Sequence, residues 1–313
     1  MQKTIKQSIS ARGLGLHSGR DIQATLKPGL PGSGIRFQRV DLPGAPVLPA
    51  VPDNVTSSTL ATTLGRGENR VSTVEHLMAA LSTLAVDNIL VETDGPEVPV
   101  FDGSAAPWVQ LLKEAGLREL NVPRKVLRVT RPFKYGLGDK SIEVWPASRF
   151  SVEAHIDFEG GIGRHCFYYV DSAQAFIDEI SRARTFCRLK DVEMMRQLGL
   201  ALGGSLDNAV VVGDDGILNP GGLRYSDEFV RHKILDFIGD LAMAGAPVSG
   251  QFVLRKPGHD LNRRFLTAAL AQPGLMEAAG AGEHKHPARK DARRLPPGRP
   301  LSPDDGLSPA AGL

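Results

Sequence analysis

Cysteine, long hydrophobic runs and net charge are all scarce in this sequence. Its 313 residues include only two cysteines, Cys166 and Cys187, and no CxxC pair, which excludes a disulfide framework and a thiolate zinc site. No apolar run approaches the roughly 18 residues that a membrane span needs, and the first ten residues lack a hydrophobic signal core. We therefore expect a cytoplasmic protein that makes no stable insertion into a membrane.

The low net charge bears on the choice of partners. The formal charge is +2, and 42% hydrophobic with 23% charged residues is an ordinary globular balance. The positive excess lies after residue 283, where six Lys/Arg accompany three Asp, so the rest of the chain is close to neutral. We expect no nucleic-acid binding. The neutral body and the lack of an obvious coiled coil also favour a monomer.

The order of the predicted elements indicates an α+β fold rather than βαβ units. Alternating polar and apolar residues predict strands at Lys3–Ala11, Asp21–Lys27, Ile35–Arg39, Asn88–Thr93, Lys125–Thr130, Ser141–Trp145, Phe150–Phe158, Arg164–Val170, Ala209–Val212 and Val248–Arg255. Helical spacing predicts helices at Ser72–Leu81, Ala105–Ala115, Ser172–Ile180, Asp191–Leu198, Phe229–Leu241 and Asp260–Ala271. The two halves could therefore share one layer plan.

A proline-containing junction at Asn121–Pro123 divides the chain into predicted domains of residues 1–122 and 123–278. Beyond about residue 278 the sequence becomes rich in proline and basic residues, which predicts a disordered tail over 279–313. His284 and His286 in this tail resemble a metal pair, but no third ligand accompanies them. We expect no functional site there.

The segment Phe229–Leu241 carries the first set of chemically interesting side chains. His232, Asp236 and Asp240 stand at positions i, i+4 and i+8, so they lie along one line of the predicted helix. Ser226 and Asp227 precede the helix and are predicted to cap it. A histidine and a carboxylate one turn apart can bind one metal ion, although this spacing is also common on ordinary surface helices.

The segment Ser72–Leu81 carries the second set. Ser72 and Glu75 fit the S-x-x-E capping box, which gives Glu75 a purely structural interpretation. His76 falls in the first helical turn, where the helix dipole disfavours a cation. A neutral imidazole that binds a metal therefore suits this position better than a charged one.

Together the two helices offer the donor set of a zinc hydrolase. His76, His232 and Asp236 would fill three positions of a tetrahedral zinc ion and leave the fourth for water, whose pKa falls to about 7 there. Hydrolysis also needs a base and an acid. Glu75 is the candidate base and His259 the candidate acid, although a capping or packing role for His259 stays open at this point.

The same donor count leaves two other interpretations. Non-haem iron oxygenases also use two histidines and one carboxylate, but usually as H-x-D on a strand, whereas this chain has H-x3-D on a predicted helix. A sugar- or nucleotide-binding regulator is the third interpretation. It would have no use for both Glu75 and His259 beside the three ligands. The H-E-x-x-H motif of helical metalloproteases is absent.

Seven stretches, in order, resemble the motifs of one family. They are GLGLHSG (Gly13–Gly19), STVEHLMAAL (Ser72–Leu81), EVPVFDGS (Glu97–Ser104), ARTF (Ala183–Phe186), GGS (Gly203–Ser205), VRHK with the following acids (Val230–Asp240) and GH (Gly258-His259). They resemble the UDP-3-O-acyl-N-acetylglucosamine deacetylases, zinc hydrolases that commit Gram-negative bacteria to lipid A synthesis. The resemblance runs from about Lys3 to about Ala271.

This resemblance implies a fold and a metal. The fold would have two domains, each a β-sheet with a pair of helices packed on it, and the active site would lie between them. The metal would be one Zn²⁺ per chain, with Fe²⁺ as an acceptable substitute, held by His76, His232 and Asp236. The substrate would be a UDP-sugar that carries an acyl chain, and the reaction would release acetate from its N-acetyl group.

The resemblance also implies roles for five further residues. Glu75 would be the general base, and His259 would be the general acid, oriented by Asp240. Thr185 would stabilise the oxyanion, and Lys233 would face the nucleotide diphosphate.

An insert near residues 191–212, bordered by Phe186, would form an apolar passage for the acyl chain. The residues expected to line it are Val192, Ala201, Leu206, Ala209 and Val211. Each buried methylene adds roughly 0.8 kcal/mol, so a substrate without the chain should bind poorly. The family often has Gly and an aromatic after its R-T-F, but Cys187 and Arg188 follow here. This departure bears on contacts to the nucleotide, with Arg188 as a charged candidate.

Overall fold

The computed structural model describes residues 1–280, and the rest of the predicted tail, including His284 and His286, lies outside this range. The described residues form an α+β structure, which confirms the predicted fold class. The helices are α1 (Glu75–Thr83), α2 (Ala106–Ala115), α3 (Ala173–Ala175), α4 (Leu189–Gln197), α5 (Glu228–Leu241) and α6 (His259–Leu270). The strands are β1 (Lys3–Ile5), β2 (Ile9–Leu14), β3 (Asp21–Pro28), β4 (Ile35–Arg39), β5 (Leu48–Pro49), β6 (Val55–Ser57), β7 (Thr63–Arg66), β8 (Asn69–Val71), β9 (Ile89–Thr93), β10 (Leu117–Glu119), β11 (Lys125–Val129), β12 (Phe133–Leu137), β13 (Lys140–Trp145), β14 (Phe150–Phe158), β15 (Gly163–Val170), β16 (Phe186–Arg188), β17 (Val210–Gly213), β18 (Gly216–Ile217), β19 (Val248–Arg255) and β20 (Met276–Gly280).

A five-stranded sheet forms in the first half of the chain, with strand order β2-β3-β9-β4-β5. Its neighbours are antiparallel except for β4 and β9, which run parallel. In β3, Ile22, Ala24 and Leu26 are buried and alternate with more exposed residues, as the sequence predicts. Helix α2 packs against α1 and strand β2.

A seven-stranded mixed sheet forms in the second half, along the path β12-β13-β19-β11-β20. Strand β14 runs parallel to β19 and antiparallel to β15. Helix α5 packs on β14 and β15, and α6 packs on β12 and β13. Each large sheet therefore has a pair of helices beside it.

Helices α1 and α5 pack closely against each other and connect the two sheet systems. Gly239 of α5 faces the first turn of α1, and a Cβ atom at this position would overlap the carbonyl oxygen of Glu75. Only glycine therefore allows the two backbones to approach so closely. This contact brings the residues of the predicted site on α1 next to those on α5.

The predicted capping box at the start of α1 is wrong. Thr73 has a positive φ of 58°, which turns the chain between Ser72 and the helix. Ser72 shares a hydrogen bond of 2.7 Å with the hydroxyl of Thr63 instead. Glu75 is the first residue of α1, and its carboxylate accepts a hydrogen bond from the backbone N–H of Thr62. The carboxylate of Glu75 therefore points away from its own helix end.

The predicted cap of α5 is also wrong. Asp227 does occupy the position before the helix, but its carboxylate accepts hydrogen bonds from the Arg231 guanidinium one turn later. A charge-assisted bidentate pair competes here with the ordinary capping bond. Ser226 lies outside the helix.

Two other predicted elements have a different form in the structure. The segment Lys3–Ala11 divides into β1, which pairs with β10, and β2, which pairs with β3. The predicted helix Ser172–Ile180 consists of α3, capped by the Ser172 hydroxyl, and a π-helical turn over Phe176–Ile180. The segment Lys3–Ala11 divides because β1 and β2 pair with different strands. A local sequence pattern does not reveal the partner of a strand.

Nine strands of the described residues lie outside the predicted elements: β5, β6, β7, β8, β10, β12, β16, β18 and β20. β20 pairs antiparallel with β11, and its last two residues, Ala279 and Gly280, fall in the range predicted to be disordered but lie in this strand. Alanine and glycine have low strand propensity, so pairing with β11 rather than composition decides this strand. Within the described residues, no helix is long and apolar enough to cross a membrane.

Candidate active site

Two histidines and one aspartate converge where α1 meets α5. The Oδ1 atom of Asp236 lies 3.3 Å from Nε2 of His232 and 3.6 Å from Nε2 of His76. All three side chains are buried. The helical spacing explains the pairing of His232 with Asp236, and the packing of α1 against α5 adds His76. The structure therefore brings the three predicted ligands together.

The hydrogen bond made by Nδ1 of His232 determines the tautomer of this ring. Nδ1 lies 3.0 Å from the carbonyl oxygen of Ala183, so Nδ1–H donates and the lone pair of Nε2 faces the cluster. Burial lowers the pKa of His232 to about 3, which keeps the ring neutral. A neutral imidazole whose other ring nitrogen is fixed by a hydrogen bond is the form that binds a metal.

The two oxygens of Asp236 have different surroundings. Lys233 Nζ donates a hydrogen bond of 2.8 Å to Oδ2, whereas Oδ1 is buried and has no hydrogen-bond partner among residues 1–280. Although burial opposes ionisation, the positive charges of Lys233 and His259 help to hold the pKa of Asp236 well below its ordinary value. An ionised, buried and unpaired oxygen is costly unless a cation balances it. The donor set of His76, His232 and Asp236 fits a divalent metal ion for this reason.

Glu75 lies beside this donor set. Its Oε2 accepts the backbone N–H of Thr62 at 3.0 Å, and its Oε1 lies 3.9 Å from Nε2 of His259. The side chain is buried, and this burial raises the pKa of Glu75 above its ordinary value. A raised pKa makes the ionised carboxylate a stronger base near neutral pH.

His259 is the first residue of α6 and faces the cluster from the other side. Its Nδ1–H donates to Oδ2 of Asp240 at 2.8 Å, and its Nε2 lies 3.8 Å from Oδ2 of Asp236. Burial opposes the charge, but Asp240, Asp236 and Glu75 raise the pKa of His259 to about 10. The ring is therefore a protonated donor, with Nε2 directed into the site.

Asp240 is held by two residues outside the sequence predictions. The hydroxyl of Thr62 donates to Oδ1, and the amide of Asn262 donates to Oδ2 at 2.8 Å. Both residues are buried. Thr62 thus contacts Asp240 through its side chain and Glu75 through its backbone. Neither residue carries a local sequence signal, because each acts through a partner distant in the chain.

An apolar cavity of about 370 Å³ opens beside the cluster. All of the predicted passage residues line it: Phe186, Val192, Ala201, Leu206, Ala209 and Val211. Further lining residues outside the predictions are Leu16, His17, Leu60, Leu189, Met195 and Leu218. Leu16 and His17 come from the glycine-rich turn, whose backbone pairs with residues 202–203. Gly203 makes this approach possible, since a Cβ there would overlap the Gly15 carbonyl oxygen.

Phe186 connects the cavity with the donor cluster. Its ring lies 6.1 Å from the ring of His232, and Lys233 Nζ lies 5.2 Å from its centroid. Thr185 also lines the cavity, and its backbone N–H donates to the carbonyl of Gly103. The apolar space therefore ends close to the metal-type donors.

The two residues that depart from the family pattern have separate environments. Cys187 lines the cavity, and burial raises the pKa of its thiol. Arg188 forms a bidentate pair with Asp191 at 2.6 and 3.1 Å. In this structure the Arg188 guanidinium is therefore paired with Asp191 and is not free to contact a nucleotide without breaking that pair.

Comparison with known proteins identifies the family. Residues 2–271 match the LpxC family, UDP-3-O-acyl N-acetylglycosamine deacetylase. The chain belongs to this family. It is 47% identical over 281 residues to UDP-3-O-acyl-N-acetylglucosamine deacetylase of Myxococcus xanthus, which covers 90% of each chain. It is 48% identical over 280 residues to the protein of that name from Haemophilus influenzae, covering 88% of this chain and 92% of the relative.

A third relative of the same name, from Acidithiobacillus ferrooxidans, is 44% identical over 289 residues and covers 91% of this chain and 95% of its own. The family match spans all six helices and every described strand except β20. The resemblance inferred from the seven motifs is thereby confirmed. The chain is an enzyme of a deacetylase family, and the convergent donors give this enzyme a place for a catalytic metal.

Proposed function

We propose that this enzyme removes the N-acetyl group from UDP-3-O-(3-hydroxyacyl)-N-acetylglucosamine, yielding UDP-3-O-(3-hydroxyacyl)-glucosamine and acetate. The observation that carries the proposal is the junction at Phe186. One part of this residue lines an apolar cavity suited to an acyl chain, and its ring lies 6.1 Å from a ligand of the buried donor cluster. A substrate with both groups would place its acyl chain in the cavity and its amide at the donor cluster.

The proposed metal is zinc, held by His76, His232 and Asp236. When bound there, zinc supplies a Lewis acid and lowers the pKa of a water molecule. The unpaired Oδ1 of Asp236 and the inward-facing Nε2 of His232 support this assignment. Fe²⁺ would suit the same donors.

Glu75 is the proposed general base. Its carboxylate takes a proton from the water whose oxygen attacks the acetyl carbonyl carbon. Burial and the Thr62 hydrogen bond hold this carboxylate in a fixed position. Thr185 is the proposed donor to the oxyanion that develops on the carbonyl oxygen, which is the role that a positioned hydrogen-bond donor has in acyl transfer.

His259 is the proposed general acid. Its Nε2–H donates a proton to the sugar nitrogen as the carbon–nitrogen bond breaks, so the products are an amine and acetate. Asp240 accepts from Nδ1–H, which directs Nε2 toward the site and favours the imidazolium form. Lys233, beside Asp236, is the proposed contact for a phosphate of the nucleotide.

The decisive experiment measures acetate release from the acylated UDP-sugar. Chelated protein should be inactive, zinc should restore activity, and Glu75→Gln should lower the restored rate by about 10²- to 10⁴-fold. Glu153→Gln, which removes a carboxylate on the far face of the large sheet, is the matched control and should keep the rate within about threefold. Zinc-loaded protein that binds the substrate without releasing acetate would contradict the proposal, and oxygen consumption by the iron form would favour an oxygenase.

A further inference from the structure

A second cluster of metal-type donors lies on the outer face of the large sheet. His155 of β14 pairs directly with Cys166 of β15 in the antiparallel register. Glu153 lies two residues before His155 and therefore on the same face. The buried residues Val152 and Ala154 alternate with them and face the other side. Strand pairing thus places a carboxylate, an imidazole and a thiol together.

One nitrogen atom is the common point of this cluster. Nε2 of His155 lies 2.7 Å from Oε1 of Glu153 and 3.9 Å from Sγ of Cys166. The three donor atoms lie within 4.8 Å of one another. One ring nitrogen can carry a single proton and so cannot serve both neighbours equally. A cation placed between the three atoms would contact all of them at once.

We propose that Glu153, His155 and Cys166 form a second, non-catalytic site for a divalent transition metal of the zinc type. Sulfur, nitrogen and oxygen donors together suit zinc and cobalt, whereas calcium and magnesium prefer oxygen alone. Three protein ligands leave one tetrahedral position for water. The Cys166 thiol binds as the thiolate, and its proton passes to solvent.

The cluster is open to an incoming ion yet held by rigid elements. The side chains of His155 and Glu153 are 23% and 29% exposed. Strand β14 lies between β15 and β19, which fixes two of the three ligands. Among residues 1–280, β15 pairs only with β14 in this sheet. A metal bound to both strands would therefore fasten the edge strand β15 to the sheet.

The catalytic cluster lies on the opposite side of the same sheet, because α5 packs on β14 and β15 from the inner face. The two sites share no residue.

The positive charge of Arg255 opposes cation binding at this second site. Arg255 pairs in register with His155 and lies near Glu153. The exclusion of a thiolate zinc site from the sequence therefore applies only to sites with several cysteines. A site with one thiolate needs a single cysteine, and here strand pairing supplies its partners.

Cobalt titration of the chelated, full-length protein tests this proposal. A near-ultraviolet sulfur-to-cobalt band requires a thiolate ligand, and the chain has only Cys166 and Cys187. The catalytic donors contain no sulfur, so the band reports the second site alone. We expect the band in the unmodified protein and in Cys187→Ser, its loss in Cys166→Ser, and its displacement by added zinc.

Two further variants distinguish a site with three ligands from cobalt binding by the Cys166 thiolate alone. His155→Gln should weaken cobalt binding at the thiolate by more than tenfold, since loss of an outer partner alone typically costs 10–100-fold in metal affinity. Arg255→Gln should tighten it by removing the opposing charge. The proposal is overturned if the unmodified protein gives no band, if Cys187→Ser abolishes it, or if His155→Gln leaves the affinity unchanged. Circular dichroism of each variant checks that the fold is retained.

Discussion

The two donor clusters are built from similar residues on different elements. His76, His232 and Asp236 lie on helices in the interior, where burial lowers the pKa of His232 to about 3. Glu153, His155 and Cys166 lie on strands at the surface, where contacts with Cys166 and Glu153 raise the pKa of His155 to about 9. The same residue type is thus kept neutral in one cluster and, while no metal is bound, held charged by its neighbours in the other. The comparison shows that surroundings, rather than residue identity, decide what a histidine does.

The largest expected effect is a difference in the deacetylation rate between a variant of the interior cluster and a variant of the strand cluster. His232→Gln removes a proposed ligand of the interior cluster, and the expected loss of metal catalysis, worth several kcal/mol, should lower the rate by about 10³-fold or more. His155→Gln makes the same chemical change in the strand cluster and should keep the rate within about threefold. Steady-state kinetics and metal content measured on both variants check this. Equal losses of activity would mean that the two clusters are not independent.

The second effect concerns the helix contact that assembles the interior cluster. Gly239→Ala introduces a Cβ against the backbone of Glu75, and overpacking of this kind should lower the free energy of unfolding by about 3 kcal/mol. Gly221→Ala is the control, because nothing lies within 4 Å of a Cβ there. Urea denaturation of both variants gives the comparison. A stable Gly239→Ala protein with unchanged metal binding would show that α1 and α5 tolerate separation.

The third effect tests how Asp240 positions His259. Asp240→Asn should reduce the rate by about 10- to 100-fold, as for other residues that orient a functional histidine. Asp240 is the main group that raises the pKa of His259, so the alkaline limb of the pH–rate profile should also move to lower pH. Asp260→Asn, which alters a half-exposed acid next to His259 on α6, should leave the profile in place. An unshifted profile in Asp240→Asn would assign Asp240 a structural role only.

The smallest effect is a pH dependence of stability in chelated protein. The folded-state pKa of His155, about 9, exceeds its ordinary value of 6.5. Its contacts therefore stabilise the fold fully below pH 6.5 and lose this contribution as the pH rises through 9. His155→Gln should cost about 1 kcal/mol at pH 6, since solvent screens this partly exposed group, and almost nothing at pH 10. His232 contributes with the opposite sign, because its lowered pKa costs stability as the pH falls below 6.5.

Local periodicity and motifs determined much of this protein. The i, i+4 and i+8 spacing placed His232, Asp236 and Asp240 on one line of α5, because a helix repeats every 3.6 residues. Alternation located strands such as Phe150–Phe158, whose bounds the structure reproduces. The ordered motifs led to the correct family.

Only the tertiary structure decided which distant residues meet. Gly239 set the approach of α1 to α5, Thr62 and Asn262 became the supports of Asp240, and Cys166 came to lie against His155 through strand register. The predicted capping box failed for the same reason, because the bonds of Ser72 and Glu75 go to a neighbouring strand and loop. Each of these contacts joins segments far apart in the chain. Its formation depends on how whole elements pack, which no local pattern of residues records.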